Sequence, residues 1–518
     1  MSLRTLSDVK LPLGKSESEL VSLAEKKLGK KAKHFAILKK SLDARDKNNI
    51  KYVYTIEFSS EEQSPQTQSI ERLPKAKLPQ KPVLVVGSGP AGLFCAIRLL
   101  ERGIMPVVIE RGAPVDEREN AIHAFFTTHA FNRETNVQFG EGGAGTFSDG
   151  KLNTQTHSPL NREVLKTFVR FGAPKEILWL QKPHIGSDNL KKVVKNMREY
   201  ILEQGGQVRF HTRLQDVRLQ DGWLRSVLLK TANGSEEVVE ASALVLAIGH
   251  SARDTFEMLL SRGVVLRRKD FAVGVRIEHL QKEIGLAQYG KAYPMLPAAE
   301  YKLVSHSADR AVFTFCMCPG GYVMPAASEE GGVVTNGMSN YARDGANANA
   351  ALIAQVRAEE LDGVTPLAGV EYQRKIERAA YFFGGNNYAA PVQLVGDFLR
   401  DKESARFGEI LPTYAAGTQF ADLRAVLPKE IVSALKEGIL SMDRKLRGFA
   451  CPEAILTAAE TRTSSPVRIE REEDTLQSVS AYGVYPCGEG AGYAGGITSS
   501  AADGLRVADA VYAHFLRI

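Results

Sequence analysis

The sequence has little cysteine and no hydrophobic run long enough to cross a membrane. Its 518 residues include five cysteines, and no two of them have Cys-x-x-Cys spacing. That usage disfavours a disulfide framework or a zinc site and is typical of a reducing compartment. The longest apolar stretches, such as 243–248, have the length of a strand, and the first 20 residues lack the apolar core of a signal peptide. We therefore expect a soluble, cytoplasmic protein without a membrane partner.

Excess positive charge is confined to the N-terminal region. Residues 1–82 contain 17 Lys and Arg against 10 Asp and Glu, whereas the rest of the chain is nearly balanced. Such a region can bind RNA or an acidic protein, or it can be a solvated face that only improves solubility. Tyr52 and Tyr54 alternate in phase with Ile56 and Phe58, which favours packing in a core over an exposed platform for RNA bases.

A glycine-rich turn lies between a predicted strand, 83–86, and a predicted helix, 93–102. In such a turn the first glycine allows a tight bend, the second lets the backbone approach a pyrophosphate, and the third allows close packing of helix on strand. N–H groups at the helix N-terminus can bind the phosphates. An acid 18 residues later is placed to accept hydrogen bonds from a ribose. The spacing predicts a Rossmann-type dinucleotide site formed by Gly87, Ser88, Gly89, Pro90, Ala91, Gly92, Glu110 and Arg111.

Two further matches to the same glycine pattern do not predict a second site of this kind. The segment 140–145 is not followed by an apolar helix, and the segment 490–495 leaves only 23 residues before the C-terminus. A complete βαβ unit needs roughly 30 residues. One dinucleotide site is therefore predicted.

The C-terminal segment resembles the closing motif of glutathione-reductase-like and fumarate-reductase-like flavoproteins. A short strand, 484–487, precedes a glycine-rich turn, and a helix starts at about Ile497. In those proteins an acid binds the ribityl and pyrophosphate region, and the helix N-terminus stabilises the charge that reduction places on the flavin. The resemblance implies that FAD is bound by Gly488, Glu489, Gly495, Gly496 and Ile497.

Two other segments resemble parts of the same fold. The apolar strand 241–248 is followed by Gly249, at the point where the chain returns to the FAD domain. The segment 207–217 is similar to the strand whose end approaches adenine, which implies a contact from Val217. Non-covalent FAD is expected, since no histidine is marked for a covalent link. With no second Rossmann unit, NAD(P)H is expected only as a transient electron donor over the flavin.

From about residue 82 to its end, the chain resembles a bacterial family of uncharacterised FAD-dependent dehydrogenases, related to the fumarate-reductase-like flavoproteins. The resemblance also extends to residues 41–47 of the N-terminal region. It implies an FAD-dependent oxidoreductase but names no substrate. The segments that carry it are 142–152, 182–190, 273–279, 314–325, 337–352, 460–469 and 485–497.

Several residues are candidates for binding or catalysis beside the flavin. Ser148 lies in a loop with five glycines between 140 and 150, which suits close approach to the isoalloxazine ring, unless the loop is merely a mobile surface segment. His184 could donate a proton or bind an anion, or it could be a structural turn residue. Arg462 could bind a substrate carboxylate, as arginines near the flavin do in related flavoproteins, or it could form an ion pair that fixes domain packing.

The remaining candidates have weaker support from the sequence. Cys316 and Cys318 could form a redox pair, but adjacent positions on one face of a strand give poor disulfide geometry. We therefore expect two buried small hydrophobic residues. Arg276, Arg343 and Arg468 are further candidates for a place near the substrate.

The fold class predicted is α/β: a Rossmann-type FAD domain with an inserted substrate or cap domain, plus a small N-terminal α+β module. The predicted segments are the basic module (1–58), a linker (59–81), the first part of the FAD domain (82–260), the substrate domain (261–450) and the C-terminal part of the FAD domain (451–518). The function expected is a dehydrogenase or reductase that transfers hydride at flavin N5 to or from a small organic molecule. The alternative is a flavoprotein whose basic module docks RNA or a protein electron-transfer partner.

Overall fold

The computed structural model describes residues 3–62, 79–306 and 310–517. Eleven α-helices lie in this part of the chain. They are α1 (Ser18–Leu28), α2 (Pro90–Glu101), α3 (Val115–Thr128), α4 (Leu160–Arg170), α5 (Ser187–Glu203), α6 (Arg253–Ser261), α7 (Gln281–Tyr289), α8 (Ala368–Phe383), α9 (Val395–Leu399), α10 (Lys429–Asp443) and α11 (Ile497–Arg517).

The same part of the chain contains 22 strands in six sheets. They are β1 (Arg4–Pro12), β2 (His34–Asp43), β3 (Lys51–Ser59), β4 (Val83–Val86), β5 (Pro106–Ile109), β6 (Gln207–Arg209), β7 (Thr212–Gln220), β8 (Trp223–Thr231), β9 (Glu236–Glu240), β10 (Ala243–Leu246), β11 (Leu266–Arg268), β12 (Phe271–Leu280), β13 (Val304–His306), β14 (Ala311–Cys318), β15 (Tyr322–Pro325), β16 (Thr335–Met338), β17 (Asn347–Val356), β18 (Ala390–Leu394), β19 (Thr418–Phe420), β20 (Ile455–Glu460), β21 (Val467–Ile469) and β22 (Val484–Pro486).

The N-terminal module is an antiparallel sheet, β1-β3-β2, covered by α1. Alternate residues of β3 are buried because one face of the strand packs on the helix; Tyr54, Ile56 and Phe58 lie there with Leu20 of α1. Helix α1 ends where Gly29 takes a left-handed conformation. The aromatic side of β3 is thus part of the module's core, as the alternation of the sequence predicted.

A five-stranded parallel sheet, in the order β22-β10-β4-β5-β6, forms the centre of the predicted FAD domain. Strands β4 and β10 are buried along their whole length, which is why their sequences are continuously apolar. Helices α2 and α11 pack against each other over this sheet. Gly504 permits that approach, since a Cβ there would lie 2.2 Å from the carbonyl oxygen of Ala91. The α/β fold class and its Rossmann-type sheet are confirmed.

The prediction of one strand over 207–217 is wrong. The chain leaves the parallel sheet after Arg209, and His211 has a φ of 52°, outside the range of extended backbone. A separate antiparallel sheet, β7-β8-β9, begins at Thr212. The change of direction at His211 moves every following residue off the course that a single strand would take.

A seven-stranded sheet in the order β13-β14-β17-β12-β20-β18-β19 carries the predicted substrate domain. Its central strands β12 and β17 pair along ten residues and are almost wholly buried. Helices α8 and α10 pack on this sheet and complete the largest apolar core of the described residues. Strand β20 belongs to it, so the chain leaves this sheet after Glu460, ten residues beyond the boundary predicted at 450.

Of the predicted linker, 59–81, residues 63–78 lie outside the described residues. Among the helices of the described ranges, none combines the length and apolar character needed to cross a membrane.

Candidate functional site

A cavity of about 330 Å³ lies between the parallel sheet and the seven-stranded sheet. We call its two sides the dinucleotide wall, formed by residues 86–91, 247–252 and 495–497, and the sheet wall, formed by residues 315–316, 336 and 460–463. Twelve predicted cofactor-binding residues line it: Gly87, Gly89, Pro90, Ala91, Glu110, Arg111, Ser148, Gly249, Glu489, Gly495, Gly496 and Ile497.

The dinucleotide wall begins with the glycine turn after β4. Gly87 has a φ of 106°, and a Cβ there would lie 2.2 Å from the carbonyl oxygen of Ala247. A Cβ on Gly92 would lie 1.8 Å from the carbonyl oxygen of Gly87, so only glycine permits this close contact of helix and turn. Helix α2 then starts at Pro90 without a side-chain cap. Its first N–H groups have no helical acceptor and are available to a phosphate in the cavity.

Glu110 holds the turn in place from below. Its carboxylate accepts hydrogen bonds from Ser88 N (2.9 Å), Ser88 Oγ (2.7 Å), Gly112 N (2.9 Å) and Gly140 N (3.0 Å). A carboxylate has about four acceptor sites, and four protein donors already use them. Glu110 therefore lines the cavity, but its hydrogen bonds in the structure hold together three backbone segments, at Ser88, Gly112 and Gly140. Ser88 contributes through this contact and does not itself line the cavity.

The loop between 140 and 150 is fixed to the body of the protein, so the alternative of a mobile surface loop is wrong. The fully buried Arg118 donates hydrogen bonds to carbonyl oxygens on either side of the turn, including those of Glu141 (2.7 Å) and Gly143 (2.9 Å). Gly142 N donates to Ser88 O at 2.9 Å, which joins the loop to the glycine turn. Ser148 lies on the cavity surface and donates to Gly145 O.

Val217 does not line the cavity, so the structure corrects this predicted contact. It is fully buried in the core beneath the sheet because the chain turned at His211. The residues of β7 that do line the cavity are Thr212, Arg213 and Leu214. Arg111 lies beside them and is held by two ion pairs, to Asp254 (2.9 Å) and Glu134 (2.7 Å).

The closing segment brings a second helix N-terminus to the cavity. Gly495, Gly496, Ile497 and Ser500 line it at the start of α11. Gly488 lies behind, where a Cβ would be 2.7 Å from Ala91 Cβ, so it serves the packing of α2 rather than the cavity surface. Glu489 faces the cavity; burial raises its pKa to about 7, although Lys269 partly opposes this.

Arg462 lines the cavity, but its guanidinium is already bound. It donates to both carboxylate oxygens of Glu377 (2.7 and 2.9 Å) and to Ser328 Oγ (3.0 Å). Arg253 of α6 binds the same carboxylate, at 2.8 Å to each oxygen. This geometry favours the ion pair that fixes domain packing over a free substrate clamp.

His184 does not line the cavity. Its ring stacks on Tyr341, with centroids 5.1 Å apart, and Nε2 lies 3.1 Å from Tyr341 O. Burial and the nearby Arg343 lower its pKa, so the ring is neutral at pH 7. Arg343 itself binds Asp149 at 2.5 Å. His184 is thus one layer behind the cavity, in the position of a structural residue.

Three residues that line the cavity, Lys151, Cys316 and Asn336, are not among the site residues predicted from the sequence. Cys318 is fully buried, as expected for a small hydrophobic residue, but Cys316 is only half-buried and lines the cavity. Lys151 and Asn336 also line it. Lys151 lies in the segment 142–152 and Cys316 in the segment 314–325, which were the available signals; Asn336 had none.

The residues present fit FAD. Gly249, Gly495 and Gly496 line the cavity, and a Cβ on any of them would meet no atom within 4 Å, so open space adjoins the backbone where a cofactor must approach. Two helix N-termini face the same space, which suits an anionic pyrophosphate and a reduced flavin. The lining also includes Arg213, Leu214, the glycine turn and Ser148.

Three family models match the chain. Residues 81–272 match "Pyridine nucleotide-disulphide oxidoreductase", residues 270–463 match "FAD-dependent protein, C-terminal domain-like", and residues 4–59 match a domain of unknown function. An uncharacterized protein of Clostridium beijerinckii is 47% identical over 498 residues, which cover 92% of each chain.

Solved structures of low identity are also similar. They include E. coli quinol fumarate reductase (12% identity, 85% of this chain and 71% of that one, TM-score 0.36) and a geranylgeranyl bacteriochlorophyll reductase-like protein of Thermoplasma acidophilum (10%, 84% and 80%, 0.38). The glycerol-3-phosphate dehydrogenase of Bacillus halodurans complexed with FAD is 13% identical (85% and 65%, 0.36). The assignment rests on the family models and the Clostridium relative: the chain belongs to a family of uncharacterised FAD-dependent oxidoreductases.

Proposed function

We propose that this FAD-dependent oxidoreductase acts as a dehydrogenase or reductase on a small organic molecule bound against the sheet wall. The observation that carries the proposal is the set of polar residues on and beside that wall. Cys316 and Asn336 of the sheet wall contribute a thiol and an amide, and Lys151 contributes an ammonium, in the same cavity as Ser148 and Ile497. When bound, FAD supplies a two-electron acceptor or donor at N5.

The protein's own residues would bind and orient both partners. The N-terminus of α2 and the glycine turn would hold the pyrophosphate, and the N-terminus of α11 would stabilise negative charge on the flavin. Lys151 is an ammonium, because the Asp149 carboxylate raises its pKa against the opposing effect of burial. Its Nζ is buried beside Asp149, so Lys151 would act as a fixed positive charge near the substrate. The ion pairs around Glu377 join the two walls and would keep their separation fixed.

An anaerobic absorbance titration with NADH and then NADPH tests the direction of electron flow. Rapid bleaching of the flavin by one nucleotide would establish a reductase that uses a transiently bound nucleotide. A flavin that neither nucleotide bleaches would support a dehydrogenase that passes electrons to another acceptor. Absence of bleaching by both nucleotides and by every organic substrate tried would contradict the proposal.

The alternative function is that the basic module docks RNA or a protein electron-transfer partner. One positively charged segment of this module favours it. Five lysines, Lys26, Lys27, Lys30, Lys31 and Lys33, lie at the end of α1 and in the turn after it. The aromatic side of β3 is buried against α1, which leaves no stacking platform for RNA bases and favours an acidic protein partner. Binding of RNA that is retained through purification and falls steeply with salt would instead support the RNA alternative.

A further inference from the structure

Cys316 occupies a distorted position at the edge of the cavity. Strand β14 carries a bulge there: Phe315 pairs with Ala351 and Cys318 with Asn349, so two residues of β14 face one of β17. Cys316 has a φ of 41°, in a region that a residue with a Cβ rarely adopts. Such conformations persist where the surroundings enforce them, and they cluster at functional sites. The bulge turns Cys316 into the cavity, while Cys318 stays in the core.

A buried ion pair enforces this conformation. Arg276 and Glu460 are almost fully buried and bind each other through two hydrogen bonds, of 3.0 and 2.9 Å. Arg276 Nη1 also donates to the carbonyl oxygen of Cys316 at 2.9 Å, and Nη2 donates to Asn336 Oδ1 at 3.4 Å. One guanidinium therefore holds both the cysteine backbone and the asparagine side chain.

The surroundings of Cys316 favour its thiolate. The neighbouring Cys318 thiol lowers the pKa of Cys316 most, burial opposes this, and the positive charges of Arg276 and Lys151 lower the pKa further. Thiolates, not thiols, are the nucleophilic form of cysteine. Cys316 thus has the electropositive, partly accessible surroundings of a reactive cysteine.

One free amide donor and one buried positive charge lie near Cys316. Asn336 Oδ1 accepts from Arg276 and from Gly337 N, which orients the amide so that Nδ2 is the free end; within the described part of the chain Nδ2 donates no hydrogen bond. Lys151 Nζ is buried and ion-paired with Asp149 Oδ2 at 3.3 Å, so it acts as a fixed positive charge and not as a donor on the cavity surface. A nucleophile near a free amide donor and a positive charge is an arrangement that stabilises an oxyanion formed by attack on a carbonyl group.

We propose that Cys316 is a catalytic nucleophile for an aldehyde substrate, with Asn336 as the donor to its oxygen and the Lys151 ammonium as the positive charge that stabilises the thiolate and the oxyanion. This rests on the proposed function. The sulfur bonds to the carbonyl carbon as the C=O π bond breaks, and the oxygen takes up the negative charge. Bound FAD would supply the two-electron acceptor for the hydride of this C–H bond, and the carbonyl then reforms as a thioester. Water cleaves the thioester and regenerates the thiolate. One aldehyde and one water yield one carboxylic acid, and two electrons and two protons leave with the flavin and solvent.

Alkylation of the oxidised holoenzyme by iodoacetamide, followed by peptide mass spectrometry, tests the nucleophile without relying on turnover. Cys451 is an internal control, since it is a half-buried free thiol outside the cavity. At pH 7 we expect Cys316 to react at least about tenfold faster than Cys451. Lys151→Met should slow the reaction of Cys316 severalfold, whereas Lys182→Met, which removes a more exposed ammonium, should not. Because a substrate must also reach the thiol past the bound flavin, equal or slower reaction of Cys316 overturns the proposal.

The substrate class is tested with acetaldehyde, butyraldehyde, benzaldehyde, glyoxylate and succinic semialdehyde. We expect at least one to protect Cys316 from alkylation and to bleach the flavin anaerobically in the wild type but not in Cys316→Ser. Protection by none of them overturns the aldehyde assignment. Bleaching that is as fast in Cys316→Ser as in the wild type overturns the role of Cys316 and leaves the proposed function standing. A wild-type flavin reduced by neither nucleotides nor organic substrates contradicts the proposed function itself.

Discussion

The dinucleotide wall offers mainly backbone to the cavity, whereas the sheet wall offers side chains. Gly249, Gly495 and Gly496 leave open space beside the main chain, and two helices begin there. On the sheet wall, by contrast, the Arg462 side chain and the backbone of Cys316 are held by buried ion pairs. One wall is thus fixed by backbone conformation and the other by charge, so different substitutions should damage each.

The ion pairs that join the two walls should be the most sensitive to substitution. Glu377 is 2% exposed and binds both Arg253 and Arg462, so Glu377→Ala leaves two buried guanidiniums without their main partner. We expect the free energy of unfolding to fall by about 3–5 kcal/mol. Urea denaturation measures it. Glu371→Ala on the same helix is the matched control, because Glu371 is exposed and its loss should cost below about 1 kcal/mol.

The same pair of variants gives an acid-pH test. Burial alone would raise the pKa of Glu377, but the two guanidiniums lower it well below its usual range. A carboxyl whose pKa is lowered in the folded state stabilises the protein at pH values above its unfolded-state pKa, which is about 4.3. This stabilisation is lost as the pH falls below that pKa. The stability difference between wild type and Glu377→Ala should therefore shrink below about pH 4. A difference that stays constant there would show that the carboxylate charge is not what stabilises the interface.

The second effect tests the backbone character of the dinucleotide wall. Gly249 and Gly103 have similar left-handed φ values, 71° and 79°, and a Cβ on either meets no protein atom within 4 Å, but only Gly249 lines the cavity. Alanine at either position should cost about 1–2 kcal/mol of stability from the φ alone. Only Gly249→Ala should weaken FAD binding, by about tenfold or more, or roughly 1.4 kcal/mol. Flavin fluorescence titration measures this, and equal affinities in the two variants would place the cofactor elsewhere.

The smallest effect concerns Glu489, whose pKa burial raises to about 7. Its carboxyl is neutral below that pH and becomes an anion facing the FAD cavity above it. The FAD dissociation constant of the wild type should therefore rise severalfold between pH 6 and pH 8, as a negative charge forms beside an anionic cofactor. In Glu489→Gln the constant should change little over this range. A wild type and variant with parallel pH profiles would contradict this assignment.

The dinucleotide wall could largely be predicted from the sequence because its signals are local. Strand 83–86, the glycine turn and the helix after it are contiguous, and the structure has β4 and α2 in those places. The sheet wall could not, because Arg276, Cys316, Asn336 and Glu460 come from four strands of two sheets and meet only in the folded chain. The pattern of apolar residues in the sequence predicts which strands are buried, but it does not show which strands that are distant in the sequence become neighbours.

Two local errors have definite physical causes. The strand predicted over 207–217 is interrupted by the positive φ of His211. The contact predicted for Val217 is therefore wrong. The bulge in β14 broke the alternation that predicted two buried cysteines, and so turned Cys316 toward the cavity. In both cases one or two residues depart from regular strand geometry, and this changes the direction of the side chains that follow. The periodicity of apolar residues in the sequence does not show such irregularities.

The most direct test of the account is the flavin content of the purified protein after incubation with FAD and removal of the free cofactor. Absorbance of the protein-bound and heat-released flavin should give one FAD per chain, and we expect heat to release it because the sequence predicts non-covalent binding. Gly103→Ala should retain that stoichiometry, while Gly249→Ala should fall clearly below it. A folded wild-type chain that retains no flavin, or one whose flavin content is unaffected by Gly249→Ala, would contradict the placement of FAD between the two walls.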